Sequence, residues 1–151
     1  QLIGQNTQLS VLDRDEVLII ERLSRPGSVV NQASVAGRMP VHRTSMGMAL
    51  LAFARPDAIA GYLARHQASM DATHPDFRAE IAEIRRNGYA SFDGFIDPQT
   101  TGVAAPILDE SGYQIAVISV VVPRDSGILH SAALALRTAA RGISRALAPT
   151  T

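Results

Sequence analysis

The chain has 151 residues, the size of one ordinary domain, and its 46% apolar and 19% charged residues mark it as globular rather than disordered. Its 14 basic residues, all arginine, balance 14 acidic ones, which argues against a nucleic-acid groove in this segment and, without lysine, excludes Schiff-base chemistry and a phosphate-loop lysine. With no cysteine, thiol catalysis, disulfides and thiolate zinc sites are excluded too.

Gln8–Asp13 (QLSVLD) and Glu16–Leu23 (EVLIIERL) read as strands, joined into a hairpin by the polar turn Asp13-Arg14-Asp15. Pro26-Gly27 punctuates the next connection, and Ser28–Ala36, with Val29, Val30 and Val35, is compatible with a further strand. Three signals then coincide in Gly37–Ala54 (GRMPVHRTSMGMALLAFA). Pro40 ends an extended segment, because the residue before a proline is pushed out of the helical region. Thr44 and Ser45 are candidate N-caps. Met46, Ala49, Leu50 and Phe53 fall at i, i+3, i+4 and i+7 of a helix over about 44–54. Gly47 sits in that face. A helical glycine costs about 1 kcal/mol relative to alanine, so another element or a ligand is expected to approach the backbone there. The helix start also offers N–H groups and a positive dipole end suited to an anion.

Pro56 suits the first turn of a second helix carrying Ile59 and Leu63 on one face, whereas His66–His74 is polar without a period and reads as a loop. Pro75–Asn87 is a cleaner helix, with Phe77, Ile81 and Ile84 aligned and Gly88 where a left-handed C-cap is needed. Tyr89–Phe92 begins an extended region, and Asp97-Pro98-Gln99 marks a bend. Thr101–Leu108 reads as a strand whose Gly102, Ala104 and Ala105 leave room above the sheet. After the turn Asp109–Gly112, Gln114–Val122 is the most apolar strand and completes a second hairpin. Leu129–Leu147 is a last helix, with Leu129, Ala133, Leu136, Ala140, Ile143 and Leu147 in one row. Arg137, Arg141 and Arg145 form another row: a face for anions or DNA, or a solvated face. Antiparallel connections with helices between the strand pairs imply one α+β domain over 1–151, a central antiparallel sheet covered by helices.

No apolar run approaches about 18 residues and no signal peptide opens the chain, so a soluble, cytoplasmic protein without a membrane partner is expected. A start at Gln1-Leu2 without methionine reads as a piece of a longer polypeptide. The histidines lack the spacing of a helical metal pair; His66, Asp71 and His74 are the nearest approach to a metal set, and Asp125, Ser126 and His130 are triad residue types too close in sequence for triad geometry. No nucleophile elbow, phosphate loop or GxGxxG occurs. The chain is therefore expected not to be an enzyme and to need no metal or cofactor. A binding cavity is better supported. Ser119 is a lone hydroxyl in a very apolar strand and needs a partner, either nearby backbone or a ligand oxygen. The helix start, the small-residue strand and Ser119 together match a mostly apolar pocket with a few placed polar groups.

These residues resemble a known family. GRMPVHRTSMGMALLAF is similar to the signature opening the ligand-binding half of isocitrate-lyase-regulator (IclR) type transcription factors, and Ile84–Tyr89 (IRRNGY), Gly102–Pro106 (GVAAP) and Ile118–Pro123 (ISVVVP) follow in the family's order. The resemblance implies a GAF-like sensor domain that binds a small effector. It also implies a homodimer or homotetramer, and contact with DNA only through an N-terminal winged helix-turn-helix absent from this chain. The pocket positions it implies are Arg43, Met46, Gly47, Leu50, Phe92, Asp93, Gly102, Val103, Ser119 and Val121. Four departures make the implied pocket less polar: Phe92 before Asp93 where the family has two acids, Gly102 for a cysteine, Val121 for a second serine, and Met48 for a lysine. Gly102 is also expected to make it roomier. A larger, partly apolar effector, such as an aromatic acid with Phe92 against its ring and Arg43 or the helix start near its carboxylate, fits better than a glyoxylate-sized anion. An interaction domain with a vestigial pocket is the second reading, and a small hydrolase the third; stabilisation by a metabolite or a measured turnover separates them.

Overall fold

The computed structural model describes residues 7–23, 37–94 and 97–149. β1 (Thr7–Asp13) and β2 (Glu16–Leu23) form the first hairpin, turning at Arg14 with a positive φ of 59°. β3 (Arg38–Pro40) pairs along β2 and ends at the proline, as the restriction before Pro40 requires. The helices α1 (Ser45–Ala52), α2 (Pro56–Arg65), α3 (Gln67–Thr73) and α4 (Phe77–Asn87) follow, and Gly88 closes α4 at a left-handed φ of 81°. β4 (Ala90–Asp93), β5 (Thr100–Leu108) and β6 (Gln114–Pro123) complete the sheet, and α5 (Leu129–Leu147) ends the described fold. The six strands lie in the order β3-β2-β1-β6-β5-β4, with each neighbouring pair antiparallel.

The strand period of two sorts side chains to opposite faces. Ala90, Ala104 and Val117 pack with α1 and with Tyr62, Met70, Phe77 and Ile81 of α2, α3 and α4. Val103, Ala105, Ile107, Ile118, Val120 and Val122 pack against Ala132, Ala133, Leu136 and Ala140 of α5. The expected α+β sheet with helical cover is thus observed, one layer of helices on each face.

Two expectations are corrected, and a third, the apolar row of α5, is observed with its burial limited. The loop over His66–His74 is the helix α3, a two-turn element whose one buried residue, Met70, is too little to display a period. α1 is not amphipathic: all eight of its residues are buried, because sheet and neighbouring helices enclose it. The apolar row of α5 is buried only in its middle, since Leu129 and Ile143 are 36% exposed and Leu147 60%. The expected strand at Ser28–Ala36 lies outside the described residues. Among the described residues no helix is long and apolar enough to cross a membrane.

Candidate functional site

The start of α1 is held by its own cap. Thr44 is extended (φ −132°, ψ 152°), and its Oγ1 accepts from Gly47 N at 3.0 Å while donating to Pro40 O at 2.8 Å. This folds residues 41–44 back over the helix, so that a Cβ on Gly47 would run into the Val41 carbonyl. The close approach expected at Gly47 is therefore made by another stretch of backbone. Leu50, fully buried, belongs to the core beneath.

The first turn of α1 lies over the face of the sheet opposite α5. Two cross-strand rows form the floor there: Phe92, Gly102 and Val121 in one, Ala90, Ala104, Ser119 and Gln8 in the next. Ser45 stands above Gly102, where a Cβ would come within 2.7 Å of its Oγ. The room that Gly102 was expected to add is thus taken by the Ser45 hydroxyl. Met46 reaches β1, and its Sδ accepts from Ser10 Oγ at 3.3 Å. The backbone partner expected for Ser119 is replaced by a side chain: Oγ donates to Gln8 Oε1 at 3.4 Å, a residue 111 positions away. Gln8 is itself only 2% exposed, and its Nε2 has no hydrogen-bond partner among the described residues. Turning the amide over would exchange the roles of its ends and still leave one unmet.

Phe92, Gly102, Ser119 and Val121 therefore share one face of the sheet, and Met46 of α1 packs over that same face. Val103 and Asp93 do not join them, because the alternation along β4 and β5 turns both to the α5 side. There Asp93 accepts from Thr101 Oγ1 at 3.0 Å and pairs with Arg124 at 3.0 Å. Asp93 and Phe92 border an open cleft of about 740 Å³ that Gly47, Gly102 and Ser119 do not line. Arg43 is exposed, in the turn before α1. The sequence marks Ser45 only as a candidate cap, and Gln8 and Ser10 escaped the sequence reading. In QLSVLD the polar residues alternate with Leu9 and Val11 and look solvent-facing; only the helix laid over that face buries them.

His42, His66 and His74 cluster at this end of α1. His42 Nδ1 lies 2.6 Å from Tyr62 OH and its Nε2 2.8 Å from Ser69 Oγ, a pairing a neutral ring satisfies in either tautomer. Burial, with the nearby His74, His66 and Arg43, holds His42 below the ordinary imidazole value, and burial pushes the Tyr62 hydroxyl up to about 12. His74 Nε2 bonds the His42 carbonyl, while its Nδ1 faces Glu80 at 2.9 Å. His66 bonds Asp15 at 2.8 Å. Among the described residues no group of three His, Cys, Asp or Glu side chains is placed to hold a metal ion.

The family described as "Bacterial transcriptional regulator IclR C-terminal" matches residues 1–145. The Pca regulon regulatory protein of Pseudomonas putida is 30% identical over 124 residues, covering 78% of this chain and 43% of its own length. HTH-type transcriptional regulator BhcR of Paracoccus denitrificans is 30% identical over 157 residues, covering 99% of this chain and 56% of its own. Among solved structures, an IclR homolog from Microbacterium hydrocarbonoxydans complexed with 4-hydroxybenzoate is 39% identical at a TM-score of 0.81, across 95% of this chain and 60% of that one. An IclR homolog from Microbacterium sp. strain HM58-2 is 36% identical at a TM-score of 0.79, across 96% and 60%. The chain spans about half the length of the curated relatives it matches.

Proposed function

Since the chain belongs to the IclR family of bacterial transcriptional regulators, as its C-terminal effector-binding domain, we propose that its effector is an aromatic or partly apolar carboxylic acid held between the start of α1 and the sheet. The observation that carries this reading is the unmet amide of Gln8. A buried donor without an acceptor costs about 1–3 kcal/mol, and a carboxylate oxygen would satisfy it. Half-buried Phe92 and Val121 on the same face offer an apolar side to a ring. The 39% identical relative complexed with 4-hydroxybenzoate supports the same ligand class. Occupancy would then bias the pairing of chains in a homodimer or homotetramer, and so the spacing of DNA-binding domains.

Titration calorimetry with 4-hydroxybenzoate, benzoate and glyoxylate tests this. The aromatic acids are expected to bind at one site and more tightly than glyoxylate. Gln8→Leu, close in volume, should weaken them about tenfold, the equivalent of one charge-assisted hydrogen bond. A preference for glyoxylate, or unchanged affinity in Gln8→Leu, would overturn the reading.

A further inference from the structure

We infer that the groove between α4 and α5 is a second ligand site, for a multiply charged organic anion with an apolar body. The groove encloses about 480 Å³, within the range of small-molecule sites. Five of the chain's 14 basic residues line it, Arg85 and Arg86 from α4 and Arg137, Arg141 and Arg145 from α5, against two carboxylates, Asp109 and Glu110. Asp109 is already committed to its turn, accepting from Ser111 N at 2.9 Å and Tyr113 N at 3.0 Å. Phe53, Pro106, Leu108 and Ala140 add apolar surface.

Local structure accounts for only some of these charges. Arg85, Arg86 and Arg145 sit in the last turns of their helices, where cations suit the dipole. Arg137 and Arg141 lie further from that end, and their spacing of four stacks like charges, which is unfavourable without an anion between them. Arg137 also lies against Gly88, where a Cβ would come within 2.9 Å of its Nε. Arg85 Nε is fixed on Ala52 O at 2.6 Å. Arg86, Arg137, Arg141 and Arg145 have no ion-pair partner among the described residues. Guanidinium groups converging from two helices suit phosphate or paired carboxylates, and the concave, partly apolar walls favour a small molecule over a duplex.

The test is calorimetry with phenyl phosphate, inorganic phosphate and a random-sequence DNA duplex. Phenyl phosphate is expected to saturate one site and to bind more tightly than inorganic phosphate. The double substitution R137Q/R141Q should raise its Kd at least about tenfold. Arg78→Gln, on α4 outside the groove, and Gln8→Leu, in the proposed effector site, should leave it unchanged. No saturable binding, equal affinity for inorganic phosphate, or binding of the duplex in place of phenyl phosphate would overturn the inference. So would binding abolished by Gln8→Leu and indifferent to R137Q/R141Q, which would place the anion in the effector site instead.

Discussion

At Gly47 the missing Cβ makes room for the carbonyl of Val41, and at Gly102 for the hydroxyl of Ser45. The two differ in what can yield. Alanine at 47 gains about 1 kcal/mol of helix propensity but meets backbone, and overpacking of that kind costs about 3 kcal/mol or more. Gly47→Ala is therefore expected to be net destabilising by about 2 kcal/mol or more, read as a lowered midpoint in urea. Gly102→Ala meets a hydroxyl that can rotate away, and its unfolding free energy should change by less than about 1 kcal/mol. A loss at Gly102 as large as at Gly47 would contradict this difference. The sequence marks Gly47 as a place of close approach because a helical glycine is costly. It does not say whether backbone or ligand approaches, since that depends on the path of residues 41–44.

Among the elements, α5 is the one cover on its face of the sheet in the described fold, and its fully buried Leu136 sits at the centre of that contact. Leu136→Ala should cost about 2–5 kcal/mol. Leu134→Ala on the same helix, at a residue 58% exposed, should stay within about 0.5 kcal/mol. Comparable losses at both would mean that α5 is not docked as described. The contrast also explains which elements were legible. α4 and α5 are long enough to show a 3.6-residue period, and both hairpins carry turn residues between apolar runs. α3 is two turns with one anchoring methionine, and its helical state rests on neighbours that no window of sequence contains.

For the whole molecule, acid sensitivity follows from two groups. His42, held below its ordinary value of 6.5 by burial and by neighbouring cationic groups, is protonated more readily in the unfolded chain. The stability it lends is full above about pH 6.5 and is lost as the pH falls through its lower folded value. Asp15 is held down to about 2, chiefly by its hydrogen bond from Arg65, with His66 adding to it. Its contribution is full above about pH 4 and is lost as the pH falls to about 2. Thermal unfolding followed from pH 7 to pH 2 should decline in two steps. His42→Gln should flatten the upper step, and Asp15→Asn only the lower. An upper step unchanged in His42→Gln would show that another group drives it.

From the sequence alone came the α+β class, both hairpins, the capped start of α1, the left-handed end of α4 and the α5 boundaries. Each is a property of spacing or punctuation along a continuous stretch, and the resemblance to the family rests on the same stretches. Tertiary structure decided which of these residues share a face. Gln8 faces Ser119 only because β1 pairs with β6, Val103 and Asp93 leave the set only because of the face their strands turn to α5, and Ser45 fills the space over Gly102 only because α1 crosses β5 there. The partner of a buried polar group is set by which distant strands meet and what covers them, and neither is encoded in local period or composition.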